Sequence, residues 1–302
     1  VPPPRTENDR VIPPKAGRHN LVVGRVAKLP DKTSSDVRPK KSLSQNFLIN
    51  DRAAKRIVDS LDIQRDDTVL EVGAGKGALT KYLLERAEKV IAVEIDKKLC
   101  QYLEQRFLEK NNLVLINQDI LKIEFKKLAG PKNHLKVIGN LPYQITSPLF
   151  SFLLENRKLI SLSVLMVQKE VAKRICAQPG SKDWSPLSVT VQLYSEVKTL
   201  FHLKPSSFFP PPRVESSVIE ILFLERPRVS IADEDFFLSV VRSAFGQRRK
   251  IILNSLSANF NLPKKEVELI LDKVKIDSKR RPETLSIQEF ADLSKALASF
   301  LN

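Results

Sequence analysis

The chain is poor in the residues that build metal and redox sites. It has two cysteines, Cys100 and Cys176, and no CxxC pair. That excludes a disulfide framework and a cysteine-based zinc site. Its three histidines, His19, His134 and His202, are scattered and form no HExxH-like cluster, so no metal site is expected. No apolar run approaches the roughly 18–20 residues of a membrane span. No Lys-Ser or Lys-Thr pair follows the glycines at 73–77, which argues against a P-loop. No activated serine or cysteine nucleophile is evident. Acidic residues are also in deficit: 35 Asp and Glu against 50 Lys and Arg, a net charge of +15. Such a balance favours polyanions, nucleic acid first and acidic membrane surface second. Charge alone is equally consistent with a merely basic surface. The protein is expected to be soluble and cytoplasmic, or organellar if residues 1–39 derive from a targeting segment.

What is present is enough for a sizeable core. With 302 residues, 42% of them hydrophobic, the chain can bury one large core and a smaller satellite domain. Residues 1–39 read as a flexible, basic, proline-rich arm: seven prolines fall before residue 41 and there is little apolar periodicity. Targeting remnant, nucleic-acid-binding tail and incomplete fragment all fit it. Order is expected from Lys40, with Asn50-Asp51 capping a helix that carries Ala54, Ile57, Val58 and Leu61 at helical spacing.

Strands and helices then alternate. Strands are expected at 68–72, 89–93, 113–116, 135–139 and 161–167, with helices at 78–86, 97–110, from 146, and at 170–177. Alternation of this kind implies an α/β fold, a mostly parallel sheet covered on both faces. After a proline-rich loop at 205–217 and a strand at 218–224, the texture becomes helical, at 235–245, 248–257, 264–274 and 287–300. The boundaries drawn are 40–227 for the α/β domain and 228–302 for a small all-helical domain.

The chemistry-bearing residues end these strands, where open α/β sheets bind ligands. Gly73-Ala74-Gly75-Lys76-Gly77 is a strand-to-helix turn that lets the backbone approach a ligand. Glu94 ends the next strand, at the separation where an acidic residue meets ribose hydroxyls; a solvated strand end is the less favoured alternative. Asp119 follows the third strand and suits either an adenine amino group or a helix cap. Asn140-Leu141-Pro142-Tyr143 follows the fourth. The Asn140 side-chain oxygen and a backbone carbonyl near Leu141 or Pro142 can accept from a flat exocyclic amine. Pro142 stiffens the turn, and the Tyr143 ring offers a stacking face. Alone, the tetrapeptide also fits a simple turn.

In this order and spacing, the motifs resemble the S-adenosylmethionine-dependent rRNA adenine N6,N6-dimethyltransferases, small-subunit (16S-type) branch. The resemblance covers residues 40–302. It is carried by Ser44-Gln45-Asn46-Phe47-Leu48, the stretch from Glu71 to Gly77, that from Asn140 to Pro148, Gln168 to Arg174, Leu187-Ser188-Val189, Phe208 to Ser216, and Ala244 to Lys250. It implies a Rossmann-like class I methyltransferase domain. It implies S-adenosylmethionine as cofactor, closed over by Asn46 and Leu48. Gly73 would meet the methionine portion, Glu94 the ribose and Asp119 the adenine, with Asn140 beside the methyl donor. The target adenine would be held by Asn140, Leu141, Pro142, Tyr143 and Phe208; Phe209 is a further candidate, for which hydrophobic packing is the favoured reading. The implied substrate is two adjacent adenosines near the 3′ end of small-subunit rRNA in an immature small subunit, the enzyme acting as a monomer in ribosome biogenesis. Arg248-Arg249-Lys250, Lys264-Lys265 and Lys279-Arg280-Arg281 are candidate phosphate contacts, or ordinary helix-surface charge. Two alternatives stand beside this one: a large-subunit rRNA adenine methylase, and a non-catalytic RNA-binding assembly or organellar transcription factor.

Overall fold

Residues 38–40, 43–128, 134–141, 145–247 and 250–301 are described by a computed structural model. The expectations for the 1–39 arm (save 38 and 39), Pro142, Tyr143, Arg248 and Arg249 lie outside them.

A seven-stranded sheet forms the centre. Its strands are β2 (Thr68–Val72), β3 (Lys89–Glu94), β4 (Leu113–Asn117), β5 (Leu135–Asn140), β6 (Ile160–Gln168), β7 (Ser195–Leu203) and β9 (Ser216–Phe223). Their order is β4-β3-β2-β5-β6-β9-β7. The first five are mutually parallel and the last two pair antiparallel. The chain runs outward from β2 to β4, then returns to continue from β5. The crevice beyond β2 and β5 is therefore the topological switch point, where such sheets bind ligands. Alternating side chains serve two apolar layers. Leu70 and Val72 of β2 belong to one buried cluster, and Val69 to the other.

The first helix, α1 (Asp51–Asp59), starts as expected: Asn50 Oδ1 accepts from Ala53 N at 3.1 Å. Its buried face, Ala53, Ala54, Ile57 and Val58, packs into the second cluster. The expected helix at 78–86 is shorter, a four-residue α2 (Thr80–Leu83) within turns. The remaining sheet-side helices are α3 (Lys97–Arg106), α4 (Thr146–Glu155), α5 (Lys169–Ile175) and α6 (Pro186–Tyr194). α6 and β7 had no sequence expectation, although Ser185 caps α6 through a reciprocal box with Ser188, with Pro186 in the first turn. β7 is an edge strand with Glu196, Lys198 and His202 along it, so it lacks the apolar run of a buried strand.

Four further helices follow, α7 (Glu234–Ala244), α8 (Ile252–Phe260), α9 (Lys264–Lys273) and α10 (Ile287–Leu301). Phe237, Val240, Leu256, Leu271 and Phe290 are buried in the same cluster as Leu70 and Leu165 of the sheet. Trp184 Nε1 donates to Leu285 O at 2.9 Å, so a buried indole ties the loop before α6 to the segment before α10.

A two-stranded ribbon stands apart from the sheet. β1 (Phe47–Leu48) pairs antiparallel with β8 (Phe208–Phe209), Phe47 opposite Phe209 and Leu48 opposite Phe208. Ile49 N extends the pairing to Ser207 O at 2.9 Å. No described helix is long and apolar enough to cross a membrane.

Candidate active site

The cavity at the switch point begins with Gly73 and Gly75, at φ +71° and +57°. Residues with a Cβ rarely adopt these angles. Gly73 N donates to Val93 O at 2.8 Å, carrying the β2–β3 register into the turn. The Phe47 ring lies so close that a Cβ on Gly75 would sit 3.3 Å from it.

Two carboxylates stand beneath this turn. Glu94, only 5% exposed, accepts from Gly75 N at 2.9 Å and from Asp96 N at 3.0 Å. It is an organising acceptor, not the solvated strand end that its position also suited. Burial raises its carboxyl, and the Asp96 and Gly75 N–H groups hold part of that rise back. Glu71, 1% exposed, accepts a hydrogen bond of 2.6 Å from Thr80 Oγ1. Burial pushes it up to about 8; the Thr80 hydroxyl opposes the shift and the Glu94 charge adds to it. Glu71 was not among the expected site residues. A carboxylate inside the apolar run Thr68–Val72 was the available signal, since unpaired acids are seldom buried.

Asp119 takes the cap reading and stands in the cavity wall. Its Oδ1 caps the short 3-10 helix Ile120–Lys122 by accepting from Leu121 N at 3.0 Å, and the residue lines the cavity. Asn140 ends β5, and its Nδ2 donates to Asn46 O at 2.9 Å. With the amide nitrogen spent there, Oδ1 is the side-chain atom left to accept from a ligand. Leu141 N continues the ladder to Met166 O at 3.1 Å.

The segment from Leu43 to Leu48 roofs the cavity. Besides the Asn140–Asn46 bond and the ribbon, an ion pair holds it: Lys40 Nζ lies 2.8 Å from Asp96 Oδ2. Burial would raise the Asp96 carboxyl. The Lys40 ammonium and the Lys98 N–H outweigh it and leave the group below the usual carboxylate range.

The structure thus gathers Asn46, Leu48, Gly73, Glu94, Asp119, Asn140, Leu141 and Phe208 around one cavity. Phe47, Ile95, Gln118, Ile120 and Ile145 also line it and were not expected. Phe208 is 3% exposed, facing the cavity and the cluster that holds Leu48. Phe209 departs from its expectation as packing, because it is 58% exposed. Among the candidate phosphate contacts, Arg280 is held by Glu289 and Thr284, whereas Lys250, Lys264, Lys265 and Lys279 are exposed. Among the described residues, no group of three or more His, Cys, Asp or Glu could hold a metal ion.

The donor set suits a nucleoside with a cationic tail: acids for hydroxyls and an adenine amine, apolar Ile95 and Ile120 for base faces, and glycine backbone for close approach. Known proteins agree. The chain is 43% identical over 261 residues to ribosomal RNA small subunit methyltransferase A of Clostridium botulinum, covering 86% of this chain and 94% of that one. It is 44% identical over 265 residues to the protein of that name from Bacillus mycoides, covering 85% and 91%. Its fold is similar to a dimethyladenosine transferase from Plasmodium falciparum, with a TM-score of 0.71 at 30% identity over 84% of this chain and 97% of that chain. The 23S rRNA methyltransferase ErmE follows, with a TM-score of 0.66 at 26% identity over 84% and 100%. The ribosomal RNA adenine dimethylase family model matches residues 37–299, and to that family the chain belongs.

Proposed function

We infer that the protein dimethylates adenine N6 in small-subunit rRNA with S-adenosylmethionine as methyl donor. The observation that carries this is the position of Asn140. It lines the same cavity as Gly73, Glu94, Asp119, Leu141 and Phe208, and its Nδ2 is held by Asn46 O. In this reading Gly73 meets the methionine portion, Glu94 the ribose hydroxyls and Asp119 the adenine, with Asn46 and Leu48 closing over them. The acceptor adenine lies against Asn140, Leu141, Pro142, Tyr143 and Phe208.

The chemistry asks for positioning more than for an activated nucleophile. An exocyclic adenine amine is a weak nucleophile because its lone pair is delocalised into the ring. Bound S-adenosylmethionine supplies an electrophilic methyl carbon on a sulfonium. Asn140 Oδ1 and the backbone carbonyl of Leu141 accept from the two N–H bonds. That favours a pyramidal nitrogen, localises the lone pair and stabilises the positive charge that develops. Asn46 O fixes the Asn140 amide plane by accepting from Nδ2. A paired adenine cannot reach such a cavity, so the base is flipped out or already single-stranded.

The finer assignments belong to the same proposal. The targets are two adjacent adenosines near the 3′ end of the rRNA, in an immature small subunit, and the enzyme works as a monomer. Residues 228–302 form an RNA-binding domain, with Lys250, Lys264, Lys265 and Lys279 as phosphate contacts. Incubation with undermethylated small subunits and cofactor, then mass spectrometry of rRNA nucleosides, is the test. N6-dimethyladenosine is expected at a mapped small-subunit position. Its absence from a protein that binds cofactor overturns the reading, and a large-subunit position moves the substrate.

A further inference from the structure

The ribbon presents two consecutive phenylalanines with opposite fates. Side chains alternate along a strand, so Phe208 and Phe209 leave opposite faces of β8; Phe47, across from Phe209, is buried against the Gly75 turn, and Phe209 is left open. Ile49, just past the end of β1, is exposed as well. Phe208 is 3% exposed, whereas Phe209 is 58% and Ile49 61% exposed. Among the described residues nothing covers Phe209 or Ile49. Their β-ribbon partners Phe47, Leu48 and Phe208 line the cavity, so they leave apolar surface open beside it, the kind kept for a ligand.

Cations flank the ribbon. Lys204 and Arg213 are exposed and bracket β8 in sequence; neither has a salt bridge among the described residues, though the Lys204 charge reaches Glu215. Lys76 Nζ lies 5.3 Å from the Phe47 ring centroid and likewise has no ion pair there. An exposed ring flanked by cations is how proteins hold single-stranded nucleic acid: the base stacks and the phosphates find positive charge.

The flipping requirement identifies which base. Turning the target nucleotide by about 180° into a pocket strips its neighbour of a stacking partner. On the proposed reading, Phe208 faces the target. One residue on, Phe209 faces the opposite side of the same strand. We propose that Phe209, with Ile49 beside it, is the stacking platform for the nucleotide adjacent to the adenine being methylated. The assignment rests on the rRNA adenine dimethylase reading above, and names a subsite that reading does not contain.

The protein provides a clean test. Its one tryptophan, Trp184, is buried and gives a constant background. Phe209→Trp puts a second indole on the platform. An RNA hairpin with the target adenine in its loop is titrated in, alongside versions that are abasic at the 5′ or the 3′ neighbour of the target. Quenching that is lost with one of the abasic RNAs is expected; quenching indifferent to both overturns the proposal. In parallel, Phe209→Ala is expected to raise KM for RNA about tenfold, the loss of one stacked base, with cofactor affinity unchanged. Phe209→Tyr should restore it and Phe209→Leu should not. Equal rescue by leucine, or a wild-type KM for Phe209→Ala, rejects stacking. Wild-type protein run first on undermethylated subunits separates the two claims: no dimethyladenosine there defeats the enzymatic reading, whatever the variants do.

Discussion

Gly73, Glu94 and Asp119 lie at or just past the ends of three neighbouring strands, so sheet register alone sets their spacing. The roof is made differently. Two-residue strands meet across most of the chain, and Asn50 Nδ2 reaches Ser207 Oγ at 3.4 Å over 157 residues of sequence. The floor inherits rigidity from the core beneath it, where Val69, Leu70, Val90 and Ile91 are buried. The roof has a few hydrogen bonds, one ion pair and the packing of Phe47, with Leu48 and Phe208 at the edge of a cluster. A rigid floor under a lightly held roof lets a ligand be aligned on one side and released through the other.

Asn140 joins the two regions, and its loss should be the most damaging. Asn140→Ala removes the tie to Asn46 O and, on the proposed reading, an acceptor for the reacting amine. The turnover rate is expected to fall by about 100-fold or more, with cofactor affinity changing far less. Single-turnover kinetics beside calorimetric titration separates the two, and an equal loss in both contradicts the assignment.

A change confined to the floor comes next. Glu94→Gln keeps the shape but loses the charge that Gly75 and Asp96 N–H groups and the ribose would share. Cofactor affinity is expected to weaken about tenfold or more, as for hydrogen bonds to a charged group. Unchanged affinity in a folded variant removes Glu94 from the cofactor site.

Glu71 tests the floor by pH. Its folded value, about 8, is above the ordinary 4.5, so the native protein keeps a proton that the unfolded chain gives up. Its contribution to stability is complete below about 4.5 and is lost as pH rises toward 8. Glu71→Gln should erase that slope, so the variant gains on wild type across this interval in thermal melts. Parallel melting curves from pH 5 to 8 would mean that Glu71 is ionised in the fold.

The smallest effect belongs to the roof. Lys40 is about half exposed, so its pair with Asp96 is worth little. Lys40→Ala should speed cofactor dissociation by at most about fivefold, and leave Asn140-dependent catalysis intact once cofactor is saturating. Stopped-flow displacement reads the rate; an unaltered rate means that the ion pair does not hold the roof.

The same contrast governs what could be read from the residues. The floor was legible because each piece is local: an apolar run, then a glycine turn, a glutamate, an aspartate or an asparagine at its end. The resemblance named Asn46, Leu48 and Phe208, but no local pattern announces that Phe47–Leu48 pairs with Phe208–Phe209. β7 was missed because an edge strand carrying charges shows no buried run. Composition does not say which of two adjacent phenylalanines stays exposed; the ribbon, with Phe208 beside Leu48 in the buried cluster, leaves Phe209 open. Glu71 was passed over as a strand residue, although its carboxyl is the costlier group to bury.

The carboxylates in the floor have a consequence for which parts of the substrate can enter. The chain as a whole carries +15, yet the strand ends around its cavity bring Glu94 and Asp119, with Lys76 the one lysine among the described lining residues and Glu71 protonated. A polyanion is drawn to such a protein from a distance and turned away at the mouth of the pit. The phosphate backbone therefore stays outside, while an uncharged base or a cationic group passes inward. Added salt weakens the long-range attraction and leaves the short-range sorting in place. Charge here acts as a sieve: it collects the whole nucleic acid on the surface and admits only the part of it that carries no charge.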